Sequence, residues 1–192
     1  MNKTLYLIRH SSPFVEIENY DDYENVLWEE YNKNMILSVL GEEKASKLCS
    51  IEELKNIKNI YSSNSCRAIA TAKYLSESNH TKIRLDDRIN ERIFGVKYLN
   101  ELPKDFTEHS FLNKNYKFEN GESLNEMDHR FDEFINDILS KNNKSIIVIH
   151  GIMLLSYLQN NCDFKFENGK IFADYNNKII VNEKPKSPGV YK

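Results

Sequence analysis

The chain has 192 residues, enough to bury one substantial core, and residues 1–192 read as a single domain. Its formal net charge of −3 supplies no electrostatic pull toward nucleic acid or an anionic membrane, so any anion site must be a local basic pocket. Three widely spaced cysteines, Cys49, Cys66 and Cys162, disfavour a disulfide framework and a zinc cluster and read as reduced thiols.

The chain opens on an apolar run, Thr4 to Ile8, that ends in Arg9-His10. A short apolar run bounded by turn residues predicts a buried strand, and in an α/β sheet the carboxyl end of a strand is the functional end. The run is too short for a signal-peptide core or a membrane span, which predicts a cytoplasmic protein. Residues 14–40 carry Glu16, Glu18, Asp21, Asp22, Glu24, Glu29 and Glu30 with no basic residue before Lys33, and read as a solvated loop and helix face. Gly41 opens a predicted helix that runs through Leu54, with Ala45 and Leu48 on its inner face.

A second strand, Ile57 to Tyr61, runs into Ser62-Ser63-Asn64-Ser65, a polar cluster suited to cap a helix over Cys66 to Ser76. Arg67 falls in the first turn of that helix, where the dipole already favours an anion, so a cation there is odd unless something negative visits. Cys66 is the cysteine nearest this feature. A third strand, Ile83 to Leu85, leads into a charged loop from Asp86 through Arg92 to Gly95. Leu124, Met127, Phe131, Phe134, Ile135 and Ile138 recur at helical spacing and predict a core-facing helix over Ser123 to Leu139.

Ser145 to Ile149 is the clearest buried strand, and it too ends in a histidine, His150, followed by Gly151 and a helix over Ile152 to Leu158. Lys170 to Asp174 and Lys178 to Val181 flank Tyr175-Asn176-Asn177 and predict a hairpin. The tail, with Pro185 and Pro188, reads as extended. Short apolar runs alternating with longer amphipathic ones indicate an α/β fold.

A neutral imidazole can accept a phosphoryl group on a ring nitrogen, and a guanidinium offers a bidentate fork for phosphate oxygens. Taken alone, Arg9-His10 also reads as nothing more than the polar end of a strand. Two strands ending in His10 and His150, a helix starting with Arg67 and an acidic loop between them make up the parts that phosphoryl transfer through histidine requires.

At these residues the chain resembles the histidine phosphatase superfamily, also called the phosphoglycerate mutase-like family. Leu7-Ile8-Arg9-His10 is similar to its R-H-G motif, and Tyr61 through Arg67 to Thr71-Ala72 to its second motif. Ile89-Asn90-Glu91 with Gly95 resembles its acid loop, Gly121-Glu122-Ser123 with Arg130 its G-E-S…R helix, and Val148-Ile149-His150-Gly151 its closing H-G motif. The resemblance implies a three-layer α/β/α sandwich with a largely parallel sheet. It implies His10 as the phosphohistidine, Arg9, Arg67 and His150 as phosphoryl ligands, and Glu91 as the acid for the leaving group. Asp86, Asp87 and Glu101 are nearby alternatives to Glu91; Gly151, where some members carry an Asp after the second His, supports Glu91. No metal or other cofactor is implied, because the arginines supply the positive charge, and His80, His109 and His129 match no motif.

The chain departs from the pattern after His10: Ser11, Ser12 and Pro13 replace the usual residues, and Glu16 stands near where an Asn is common. By the resemblance these positions, Ser11 and Glu16 among them, line the substrate side of the pocket. Glu16 and the acids behind it would repel a second anionic group, unless Lys33 or Arg92 offsets them. The expected function is hydrolysis of a small phosphomonoester, neutral or cationic in its remainder. The alternatives are a mutase, or a pseudoenzyme that binds a phosphorylated ligand without turnover.

Overall fold

The computed structural model describes residues 3–15, 26–167 and 169–192. Glu16, Glu18, Asp21, Asp22 and Glu24 lie outside them. The main sheet has the order β3-β2-β4-β1-β8. Strand β1 (Thr4–Arg9) pairs in parallel with β4 (Lys144–Ile149), and β4 in parallel with β2 (Ile60–Ser62), which pairs in turn with β3 (Ile83–Leu85). Burial on both faces explains why β1 and β4 are continuous apolar runs rather than alternating ones. Leu7, Ile147 and Ile149 face one core, with helices α5 (Leu124–Lys141) and α6 (Gly151–Asn161). Tyr6, Ile8, Ile146 and Val148 face the other, with Ala68, Ala72 and Leu75 of α3 (Cys66–Ser78). The result is the expected α/β sandwich, with two helical layers on a mostly parallel sheet.

The long amphipathic helix starts where its sequence says it should. Ser123 Oγ accepts from the Glu126 amide at 3.1 Å, and Glu126 Oε2 accepts from the Ser123 amide at 2.8 Å, a reciprocal cap that stabilises such a helix by about 1 kcal/mol. Phe131 and Phe134 fill the sheet-facing side, and truncating either to Ala should cost about 3–5 kcal/mol.

Several boundaries differ from the sequence reading. Helix α2 is Val39–Lys47, capped by Ser38, whose Oγ accepts from Gly41; the remainder to Leu54 is two 3₁₀ turns, although Ala45 and Leu48 are buried as expected. Gly41 does not open the helix. It lies where a Cβ would come within 2.0 Å of the Ser12 carbonyl oxygen, so its role is close approach of α2 to the segment after His10. The hairpin is the outer part of a three-stranded sheet, β5 (Asp163–Glu167), β6 (Lys170–Tyr175) and β7 (Lys178–Glu183). Asn176 and Asn177 turn it with φ of 49° and 61°, the left-handed pair that a two-residue hairpin needs. The tail is not merely extended: β8 (Gly189–Tyr191) adds antiparallel to β1 and covers that edge.

Two short helices complete the surface, α1 (Trp28–Asn34) and α4 (Phe106–Leu112). Trp28 of α1 stacks on Phe94, with ring centroids 5.8 Å apart, in a satellite cluster with Val96, Leu99, Leu102 and Phe106. This cluster fixes α1 against the loop that follows Glu91. Among the described residues no helix is long and apolar enough to cross a membrane.

Candidate active site

The adjacent parallel strands β1 and β4 end at the same level, in register Arg9 with Ile149, and this brings His10 and His150 together. Their rings lie 5.1 Å apart at 62°. Both residues are buried. His10 Nδ1 lies 2.8 Å from the Ser11 carbonyl oxygen, which can only accept, so Nδ1 carries the proton and Nε2 keeps its lone pair. Burial, with the Arg67 cation beside it, pushes His10 down to about 3, so the ring is neutral near neutral pH. His150 is shifted in the same direction, by burial first and then by its neighbours His10 and Arg67.

Arg67 joins the two rings. Its Nε donates to His10 Nε2 at 3.0 Å and its Nη2 to His150 Nδ1 at 3.1 Å. Because Nδ1 of His150 accepts, Nε2 holds the proton and donates to Ser63 Oγ at 2.7 Å, and that hydroxyl donates to Asn90 Oδ1 at 2.9 Å. The serines after β2 therefore serve the histidine as well as the turn. Ser65 occupies the N-cap of α3 without a side-chain cap bond, and its hydroxyl lies 3.3 Å from His150 Nε2. The expected capping cluster is thus redirected into the site.

The remaining N–H groups of Arg67 go to Asn32 of α1: Nη1 to its carbonyl oxygen, and Nη2 to its Oδ1 at 2.9 Å. Nothing in the sequence pattern singled out Asn32; it sits on an exposed-looking helix whose acids suggested a solvated face. Arg9 is held by the tail, its Nη1 donating to the Pro185 carbonyl at 2.8 Å, while its Nε is buried without a hydrogen-bond partner among the described residues. A Cβ on Gly151 would stand 3.3 Å from that Nε, so the glycine leaves room for the guanidinium.

Glu91 turns toward this cluster. Its Oε2 accepts from the Ile152 amide at the start of α6, at 3.4 Å, and its charge opposes the downward shift that burial imposes on Arg9 and Arg67. The loop carrying it is clamped by Arg130, which holds Glu122 through Nε at 2.6 Å and Nη2 at 2.8 Å and donates to the carbonyls of Arg88 and Glu91. The alternatives to Glu91 are committed elsewhere: Asp86 to Arg88, Asp87 to Asn64 and Glu101 to the Lys97 amide. Glu29 of α1, on the protein surface, accepts from the Phe94 amide at 3.1 Å, and its carboxyl pKa is raised by partial burial first and by Glu122 and Glu91.

Two sequence-based expectations change. Arg92 cannot balance charge at a substrate: it is 1% exposed, donates to Glu122, Ser110 and Tyr116, and stacks over Phe106. Ser11 is fully buried, with its amide on Thr71 Oγ1 at 2.9 Å and its hydroxyl donating to the Gly41 carbonyl at 2.7 Å, so its side chain packs β1 against α2 instead of lining a pocket. Ser12 and the tail meet below the site, where Ser187 Oγ donates to the His10 carbonyl at 2.8 Å.

This arrangement has relatives. A family model described as the histidine phosphatase superfamily (branch 1) matches residues 5–183. No curated protein matches at the sequence level. Among solved structures, a mycobacterial glucosyl-3-phosphoglycerate phosphatase is 14% identical with a TM-score of 0.66, covering 94% of this chain and 98% of its own. A phosphoserine phosphatase mutant from Entamoeba histolytica in complex with phosphoserine is 18% identical with a TM-score of 0.59, covering 93% and 95%. At such identities the likeness is one of fold. With the family model spanning nearly the whole chain, and its motifs meeting at one point in space, this protein belongs to the histidine phosphatase superfamily.

Proposed function

We propose that the protein is a phosphomonoesterase that works through a phosphohistidine on His10. The observation that carries this reading is the single Arg67 guanidinium bonded to Nε2 of His10 and Nδ1 of His150. It fixes one neutral imidazole with its lone pair directed at the spot where two arginines and a second histidine converge.

In the reaction, His10 Nε2 attacks phosphorus in line with the ester oxygen, and the P–O bond breaks as the P–N bond forms. Arg67, Arg9 and His150 take the phosphoryl oxygens, Arg67 exchanging its contacts with Asn32 and His10 for them. Glu91 takes the proton carried by the phosphomonoester monoanion and passes it to the departing alkoxide. It then takes a proton from water as the water attacks phosphorus, which releases inorganic phosphate and restores His10. Glu91 and the exposed Glu29 beside it make the approach acidic, which supports a substrate whose non-phosphoryl part is neutral or cationic.

The test is phosphate release from an aryl phosphomonoester in the presence of EDTA, with alkaline-quench trapping of labelled protein. Turnover with an acid-labile phosphoryl group on wild type, and neither on His10→Ala, is the expected result. Interconversion of phosphate positions without phosphate release would make it a mutase, and phosphate binding with no turnover on any monoester a binding protein.

A further inference from the structure

A second concave site lies away from the histidines, between helices α5 and α6 and strands β7 and β8. This groove has a volume of about 870 Å³, within the range of small-molecule sites. Its accessible floor is apolar, made by the half-buried Leu5 of β1, Ile135 and Leu139 of α5 and the Tyr157 ring of α6, with Leu7, Leu154 and Leu158 buried beneath them. Its rim carries Lys178, Lys184 and Lys186, with Lys3 donating to the Leu139 carbonyl and Lys192 turned to the Tyr6 ring on the other face, and among the described residues no aspartate or glutamate lines it, in a chain whose net charge is −3. None of these lysines forms an ion pair among the described residues: Glu183 is paired with Lys170 at 2.6 Å, and Asp137 with Lys141 and Arg88.

Unpaired like charges gathered around an apolar trough repel one another, and the arrangement becomes favourable when an anion with an apolar body occupies it. A second copy of this chain would set lysines against lysines across a twofold axis. A nucleic acid would leave the leucine floor unused. We propose that the groove binds an anionic amphiphile, an alkyl chain lying on the leucines with one acidic head group among the lysines. Lysine ammonium groups act as point charges without the guanidinium fork, so they take any compact anionic head and do not select phosphate.

The probe is dodecanoate below its micelle concentration, titrated calorimetrically into the full chain and into its His10→Ala variant, whose equal binding separates the groove from the catalytic pocket. Saturable one-to-one binding is expected, with no comparable binding of acetate or of dodecyltrimethylammonium. Both Lys178 and Lys184 are exposed, so reversing them leaves the fold and the phosphatase activity intact. The double substitution Lys178→Glu/Lys184→Glu should weaken dodecanoate by about tenfold or more, as loss of one well-placed charge contact does, and Lys178→Arg/Lys184→Arg should retain it. Equal binding of the cationic amphiphile, indifference to charge reversal, or no saturable binding overturns the proposal. Sedimentation with phosphatidylglycerol vesicles in the absence of dodecanoate binding overturns it in favour of a membrane-facing surface.

Discussion

Arg67 Nε donates to His10 Nε2 at 3.0 Å, so the lone pair available for attack is also the one this guanidinium occupies. A phosphoryl group entering the site gives Arg67 a better acceptor than a neutral imidazole, and its arrival frees the nucleophile. Arg67→Lys keeps the charge but loses the fork that spans both histidines. We expect it to lower kcat by about 10²–10³, the usual cost of removing a preorganised donor at a developing charge, with a smaller change in KM. Steady-state kinetics on an aryl phosphate reads this directly; a Lys variant within twofold of wild type would remove Arg67 from the mechanism.

Asn32 takes Nη1 and Nη2 of the same guanidinium, and a phosphate must compete with it. Asn32→Ala removes the side-chain acceptor and leaves the backbone one. Inorganic phosphate should then inhibit more strongly, by about fivefold for one charge-assisted hydrogen bond of ~1 kcal/mol. Weaker inhibition would show instead that the amide contacts the phosphate.

What the sequence made legible and what it did not divide along a physical line. His10, His150 and Arg67 could be found because each ends or begins an element whose apolar periodicity is strong. The register of β1 with β4 then follows from two equal buried runs. Asn32, Ser63 and Ser187 could not, because short polar side chains on loops and on a seven-residue helix leave no periodic trace. Strand β8 was missed for the same reason: three residues that follow Pro185 and Pro188 satisfy an edge rather than a core. Arg92 was misjudged because its charge suggests solvent, whereas three oxygen acceptors and the Phe106 ring compensate its burial. Ser11 was placed on the substrate side by the resemblance alone, whereas its hydroxyl is taken from across the loop by the Gly41 carbonyl.

Arg130 and Glu122 form a bidentate pair whose side chains are 20% and 13% exposed, and the same guanidinium holds the backbone of Arg88 and Glu91. Removing one partner leaves a largely desolvated charge. Arg130→Ala should cost about 3 kcal/mol, within the range for broken sheltered pairs, and should lower kcat as Glu91 loses its support. Arg130→Lys should recover part of the stability and little of the rate, since one ammonium cannot reach Glu122 and two carbonyls together. Urea unfolding beside kinetics separates the two effects; a rate loss no greater than that of an equally destabilising core variant would leave Arg130 a purely structural residue.

His10 gives the folded state a signed dependence on pH. Its ordinary value of 6.5 is depressed to about 3 by burial first and by Arg67 next. Between these values the unfolded chain takes up a proton that the folded protein refuses, so stability is complete above pH 6.5 and is lost as pH falls. At pH 5 the loss from this residue is about 2 kcal/mol, and His150 acts in the same direction. In His10→Gln that part of the slope vanishes. The difference in unfolding free energy between pH 7.5 and pH 5, measured in urea, should therefore be about 2 kcal/mol smaller for the variant than for wild type. Equal slopes in the two proteins would mean that His10 is protonated in the folded state near its ordinary value, and that the neutral nucleophile inferred from its hydrogen bonds is not the resting form.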